Sequence, residues 1–124
     1  MKQKLKGTME FKVNEKKRYV LCVVIAHVKR FFGVANCLES DTFDVEAGKV
    51  LAQMRATVKQ RQFDLGLTRE FIETIKTAIE TNMHYYDIVS PHYMRSLQKA
   101  KEEEKAQIAH IRDLKRRIKE FSKA

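Results

Sequence analysis

The sequence predicts an α+β protein, in which a small N-terminal antiparallel sheet of about three strands precedes long C-terminal helices. Residues 8–38 alternate between polar and apolar or run apolar with many β-branched side chains, a pattern typical of strands. From residue 43 onward the apolar positions recur every three or four residues, as in amphipathic helices. The last helical stretch is longer than one small sheet can cover, which favours an oligomeric helix bundle.

The composition is that of a folded chain. The 124 residues are 44% hydrophobic and 33% charged, which suits a single domain (1–124) with its sheet in 1–40 and its helices in 41–124. No segment is apolar enough to suggest a membrane span, and the basic N-terminus lacks the apolar run of a signal peptide. Cys22 and Cys37 lie in apolar surroundings, as expected of free thiols in a cytosolic protein.

The net charge of +9 is concentrated at the two ends of the chain. Residues 1–36 carry +7 and residues 91–124 carry +5, whereas the middle is mildly acidic. This distribution favours an anionic partner such as a nucleic acid, a nucleotide or a phosphate. A solvated basic surface without a partner is the alternative that the charge leaves open.

Three strands are predicted in the first third of the chain. Thr8–Val13 alternates cleanly, and Tyr19–Ile25 is apolar on both faces, as in a central strand. Arg30–Leu38 is the third, with Gly33 at a bulge or at a point of close approach. Because the links are short, we expect an antiparallel meander.

Two helices are predicted in the middle of the chain. The first runs from about Phe43 to Asp64, is capped by Asp41 or Thr42, and ends at Gly66. Thr68 caps the second. The stripe of the first helix predicted to face the core is Ala47, Val50, Leu51, Met54, Val58 and Leu65. The stripe of the second is Phe71, Ile72, Ile75, Ile79, Met83 and Tyr86.

A third helix is predicted from Ser90-Pro91, a cap followed by the residue preferred at the first helical position, to about Phe121. At ~1.5 Å per residue it is on the order of 45 Å long. We expect the second helix and a partner chain to cover it, which implies a homo-oligomer.

Catalytic signatures are missing from the sequence. It contains no nucleophile elbow, phosphate loop, paired-carboxylate motif or zinc spacing, and its four histidines are scattered. We therefore expect a protein that is not an enzyme and that uses no cofactor and no metal.

Two groups of residues suit an anionic aromatic ligand. The first lies around the break between the second and third helices, where aromatic faces can stack on a base. It consists of Asn82-Met83-His84-Tyr85-Tyr86-Asp87 together with His92. Tyr85 and His84 fall off the apolar stripe and are therefore freer to contact a ligand.

The second group is a basic flank of the third helix. It consists of Lys105, Arg112, Arg116 and Lys119. Arg112 and Arg116 are four residues apart, so both guanidinium groups can address one pyrophosphate. Asp113 can accept a ribose hydroxyl or pair with Arg117, and an exposed basic face without a ligand stays an equal alternative.

In its motifs the chain resembles the first family of phage Thoeris anti-defence proteins, which are small sponges that sequester cyclic nucleotide signals. The family combines an N-terminal antiparallel sheet with long C-terminal helices and assembles through those helices. The segments that carry the resemblance are Val20-Leu21-Cys22-Val23-Val24, Gly33-Val34-Ala35, Asp41-Thr42-Phe43-Asp44, Gly48-Lys49 and Ala52-x-x-Arg55-Ala56.

The resemblance implies binding without turnover. The family captures glycosyl-cyclic ADP-ribose, the message made by TIR-domain enzymes, and so keeps the downstream effector inactive. It implies a cytoplasmic homo-oligomer in an infected bacterial host, with no membrane and no stable nucleic acid as partners. The ligand residues implied are Tyr85, Arg112, Arg116, Asn82, His84, His92 and Asp113. A second site, for cyclic oligonucleotides, would use Arg55, Thr42, Lys29 and Arg30.

Two other functions fit the sequence. A basic RNA- or DNA-binding accessory protein would use the two basic ends, although no nucleic-acid motif is present and the acidic middle interrupts a continuous groove. A purely structural helical oligomer would bind no ligand.

Overall fold

The computed structural model describes residues 8–37, 42–86 and 91–123. It confirms the α+β architecture, with an N-terminal three-stranded antiparallel sheet followed by long helices. The elements in chain order are β1 (Thr8–Asn14), β2 (Tyr19–Ala26), β3 (Lys29–Asn36), α1 (Val45–Tyr86) and α2 (Pro91–Lys123). The third predicted helix is α2, whereas the first two predicted helices form one continuous helix. None of the described helices has the length and apolarity needed to cross a membrane.

The sheet is the predicted meander, with β2 in the centre and antiparallel to both neighbours. Its register places Cys22 opposite Phe11 of β1 and opposite Gly33 of β3. The two-residue turn between β2 and β3 contains His27 and Val28 at φ 55° and 60°. Two successive left-handed residues are typical of the type I′ turn, whose twist matches that of the flanking strands.

The inner face of the sheet packs on the first part of α1. This core consists of Val20, Cys22, Val24, Ala35, Ala52 and Ala56. A Cβ added to Gly33 would overlap the carbonyl oxygen of Ala52 and lie 2.5 Å from the amide nitrogen of Ala56. The helix backbone therefore lies directly on β3, which confirms the predicted close approach. The pairing with β2 continues without interruption through Gly33, so the alternative of a bulge was wrong.

The face that α1 turns toward the sheet differs from the predicted stripe. Ala52 and Ala56 are fully buried, whereas Val50 is 46% exposed. Where a helix backbone touches a strand, there is room for methyl side chains but not for larger ones. Met54 and Val58 of the predicted stripe are buried, but in a second cluster that they form with α2.

Helix α1 is capped by Asp44, whose Oδ1 accepts a hydrogen bond from the N–H of Ala47 at 3.1 Å. This geometry is that of an N-cap aspartate, so the prediction of a cap at Thr42 was wrong. The other predicted cap, Asp41, lies outside the described residues. Glu46 lies in the first turn, where the helix dipole favours negative charge.

The prediction that a helix ends at Gly66 was wrong, because α1 runs through it. Gly66 does not have a positive φ, and a Cβ there would meet nothing within 4 Å. A mid-helix glycine costs about 1 kcal/mol relative to alanine, which the buried side chains on either side outweigh. Thr68 lies inside the helix at 9% exposure, so it does not cap a second one.

The described residues fall into two compact units. One comprises the residues up to Arg61 together with those from Asp113 onward, and the other comprises Gln62–Arg112. In the second unit the buried apolar residues are Ile72, Ile75, Ala100 and Ile111. Phe71 and Met83, which we predicted to lie in the core, are about half exposed, and so is Met94 of α2. These apolar side chains are therefore accessible to another molecule.

Candidate ligand-binding site

The predicted junction residues lie at the end of α1 and the start of α2. The side chain of Asn82 is half-buried, and its Nδ2 donates to the carbonyl oxygen of Ala78 at 2.8 Å. His92 is exposed, with its ring centroid 6.0 Å from that of Tyr93. The side chains of His84 and Tyr85 lie outside the described part of the chain. Among the described side chains here, that of His92 is exposed and that of Asn82 is partly exposed, so a ligand can reach both.

Arg116 is held by two carboxylates on its own helix. Its Nη2 donates to Oδ1 of Asp113 at 2.5 Å, and its Nη1 donates to Oε1 of Glu120 at 3.0 Å. The hydrogen bond that Arg116 donates to Asp113, followed by the one that it donates to Glu120, raises the pKa of Arg116. Arg116 therefore keeps its charge, but an incoming anion must compete with both carboxylates.

Arg112 lies one turn before Arg116 and differs from it in having no ion pair or hydrogen bond within the described residues. Its side chain is exposed. Asp113 also lies 3.8 Å from Nη1 of Arg117, in agreement with the predicted pairing of these two residues. The flank therefore offers one free guanidinium group beside one that is already paired.

The two groups are far apart along α2. His92 and Arg112 are twenty residues apart on this helix. At ~1.5 Å per residue this separation is on the order of 30 Å, which is longer than a dinucleotide. One copy of α2 therefore does not bring the junction residues and the arginines to the same ligand.

The residues of the predicted second site are also dispersed. Arg55 reaches β3, where its Nη1 donates to the carbonyl oxygen of Val34 at 2.6 Å. Lys29 and Arg30 are exposed at the opposite, N-terminal end of the same strand. Thr42 lies near the C-terminal end, where its carbonyl oxygen accepts a weak bond from Sγ of Cys37 at 3.6 Å. Arg55 meets β3 at Val34, four residues or ~13 Å from Arg30, and the end of β3 near Thr42 lies seven residues or ~23 Å from Lys29.

Sequence reasoning missed a contact of Arg18. Its Nη2 donates to Sγ of Cys37 at 3.2 Å, and its guanidinium carbon lies 5.9 Å from the ring centroid of Phe43. Arg18 follows a polar turn, and nothing in its spacing connects it to residues so distant in the chain. Glu120 was missed as well, although its position four residues after Arg116 is a signal that could have identified it.

Metal and thiol chemistry have little support in the described part of the chain. No group of three or more His, Cys, Asp or Glu side chains there could hold a metal ion. Cys22 and Cys37 form no disulfide, in agreement with the prediction, and burial raises the pKa of the Cys22 thiol. Cys22 is therefore a neutral core residue and not a nucleophile.

Comparison with known protein families, with curated proteins and with solved structures found no match to this chain.

Proposed function

We propose that this protein is a phage anti-defence sponge, which binds glycosyl-cyclic ADP-ribose without cleaving it and so blocks Thoeris immunity. The observation that carries the proposal is the pair formed by Arg112 and Arg116, one turn apart on α2, of which Arg112 is free. The motif resemblance connects this pair to the ligand class. The proposal includes a homo-oligomer.

The arginine pair suits a pyrophosphate chemically. Arg112 is the first contact, because binding to it displaces no existing ion pair. Arg116 then turns from Glu120 toward the phosphates, since both Glu120 and the guanidinium are exposed. Asp113 already pairs with Arg116 and Arg117, and it accepts a ribose hydroxyl in place of one of these contacts when the ligand binds. Charge-assisted bonds of this kind are about twice as strong as neutral ones.

A second copy of the chain completes the site. Because the junction and the arginines are on the order of 30 Å apart on one helix, the ligand's base and its pyrophosphate contact different copies. Two α2 helices that run antiparallel place the junction of one copy beside the arginines of the other. The exposed side chains of Phe71, Met83 and Met94 supply apolar surface for this association.

Sequestration makes modest chemical demands. It needs burial of the ligand and a slow release, and it needs no poised acid or base. The net charge of +9 also attracts a dianionic ligand and raises the rate of capture.

The first test is calorimetric titration of the purified protein with glycosyl-cyclic ADP-ribose, followed by heating and chromatography of the released ligand. We expect saturable binding and recovery of the intact ligand. Recovery of an altered ligand would make the protein an enzyme and overturn the proposal. Absence of binding, together with salt-sensitive binding to RNA or DNA, would favour the basic accessory protein instead.

The residue assignment is tested with Arg112→Ala and with Lys115→Ala as a matched control. Both variants remove one exposed positive charge from α2, but Lys115 lies about 60° away around the helix from Arg112. We expect Arg112→Ala to weaken binding about tenfold or more, as for a lost charge-assisted hydrogen bond, and Lys115→Ala to change it little. If both variants weakened binding equally, Arg112 would contribute only its positive charge and no specific contact with the ligand.

A further inference from the structure

The outer face of the sheet, on the side opposite α1, is apolar and partly exposed within the described residues. Its central side chains are Leu21, Val23 and Ile25 of β2, each of which is half-buried. Phe32 and Val34 of β3 are 44% and 38% exposed. Neither buried cluster in the described residues includes a side chain of this face. An exposed apolar sheet face of this kind is typical of a surface that binds another molecule.

The register arranges this face in four parallel rows that cross the strands, and the two central rows lie between the Thr8–Ile25–Arg30 row and the Asn14–Tyr19–Asn36 row. In one central row Glu10 pairs with Val23, which pairs with Phe32. In the other central row Lys12 pairs with Leu21, which pairs with Val34. Each central row therefore has one charged residue at the β1 edge, an aliphatic residue in the centre and a large apolar residue on β3.

The two central rows are complementary to each other. They carry opposite charges at the β1 edge, and within the described residues neither Glu10 nor Lys12 forms an ion pair. A two-fold axis that runs between the rows, across the strands, brings each row onto the other row of a second copy. Glu10 then faces Lys12 of the partner, Val23 faces Leu21, and Phe32 faces Val34.

We infer that the outer sheet face is an isologous interface for a second copy of this chain. The charge pattern favours a second copy as the partner. When two copies pack face to face, the acidic residue of one row and the basic residue of the next each lie opposite a residue of the other charge. Sheets that pack face to face lie about 10 Å apart, within reach of glutamate and lysine side chains from both sides. The inference concerns neither α2 nor its ligand, so it does not depend on the proposed function.

The interface is small. Three strands about 4.8 Å apart and about seven residues long present on the order of 300 Å² per copy, which is less than half of what a stable dimer buries. Association through this face alone is therefore weak and depends on concentration. In an oligomer that already joins several copies, the same contact becomes strong, because it forms at a high effective concentration.

The test is a charge swap, followed by sedimentation equilibrium over a range of concentrations. We expect Glu10→Lys and Lys12→Glu each to weaken association by about tenfold, since each creates two pairs of like charges across the interface. The double variant Glu10→Lys/Lys12→Glu should regain association close to that of the wild type. Unchanged association in both single variants, or a double variant as weak as the singles, would overturn the inference.

A zero-length cross-link identifies the contact directly. Isotopically labelled and unlabelled protein are mixed and treated with a carbodiimide, which joins a carboxylate to a nearby amine. We expect a Glu10–Lys12 cross-link that contains one labelled and one unlabelled chain, and we expect its loss in Glu10→Gln. If Glu10 links only to lysines of its own chain, such as those in residues 1–7, another occupant covers the face and the inference is wrong.

Discussion

Gly33 of β3 lies so close to Ala52 of α1 that a Cβ on the glycine would overlap the alanine's carbonyl oxygen. A backbone oxygen inside a helix cannot turn aside as a flexible side chain can. Any larger residue at position 33 must therefore separate the helix from the sheet. This contact fixes where Arg55, which lies one turn after Ala52, meets the carbonyl of Val34.

Gly33→Ala should destabilise the protein by about 2–3 kcal/mol, since overpacking a tight contact costs that much. Urea denaturation monitored by circular dichroism measures the change. A loss below about 0.5 kcal/mol would mean that α1 can withdraw from β3 freely.

Gly66→Ala is the matched control and should have the opposite sign. Gly66 is exposed in the interior of α1, with open space where a Cβ would be added. Alanine should stabilise the helix by about 0.5–1 kcal/mol. The same urea denaturation experiment measures this gain in the free energy of unfolding. A destabilised variant would indicate that the helix is interrupted at this position.

Val28→Gly should stabilise the hairpin between β2 and β3. Val28 is a β-branched residue at φ 60° and is 95% exposed, so it is strained and loses no packing when removed. Glycine at this position of a type I′ turn should stabilise the fold by about 1 kcal/mol. Thermal denaturation measures the gain, and a lower melting temperature would show that the turn is not of this type.

Glu120→Gln should tighten binding of glycosyl-cyclic ADP-ribose if the proposed site is correct. The substitution removes one of the two carboxylates that hold Arg116 and so lowers the competition against the pyrophosphate. Calorimetry should show a gain of a few fold, as for one exposed ion pair. Weaker binding would indicate that Glu120 contacts the ligand or positions Arg116 for it.

Cys22 should make stability fall in alkaline solution. Burial raises the pKa of its thiol in the folded state, so above about pH 9 the unfolded chain loses a proton that the folded chain keeps. The stability that this pKa difference contributes is therefore fully present below about pH 9 and is lost as the pH rises above it. Denaturation midpoints measured from pH 7 to 10 should fall less steeply in Cys22→Ala than in the wild type.

Thiol reactivity gives a separate check on the same residue. Cys37 is half-buried at the end of the sheet, whereas Cys22 is fully buried. A thiol reagent should therefore modify Cys37 first in the native protein and should reach Cys22 at the rate of unfolding. Equal native rates would contradict the burial of Cys22.

The sequence by itself determined the strands, their order and the start of α2, because these depend on local signals. Alternation, the doubly apolar stretch at Tyr19–Ile25 and the Ser90-Pro91 cap act over a few residues. It also marked Gly33 as either a bulge or a close approach, and it placed Arg112 and Arg116 as neighbours on one flank. Helical spacing alone is enough to place the two arginines one turn apart.

Only the tertiary structure decided the features that depend on distant residues. The local sequence at Gly66 and Thr68 is typical of a helix end followed by a cap. Packing in the middle of α1 nevertheless outweighs the small free-energy cost of one glycine, and the helix continues. The exposure of Val50 and the burial of Ala52 depend on how closely β3 approaches α1. The helical spacing of apolar residues in the sequence does not contain this distance. The pairing of Arg116 and the separation of Arg112 from His92, by contrast, follow from helical spacing along α2 and needed no tertiary information.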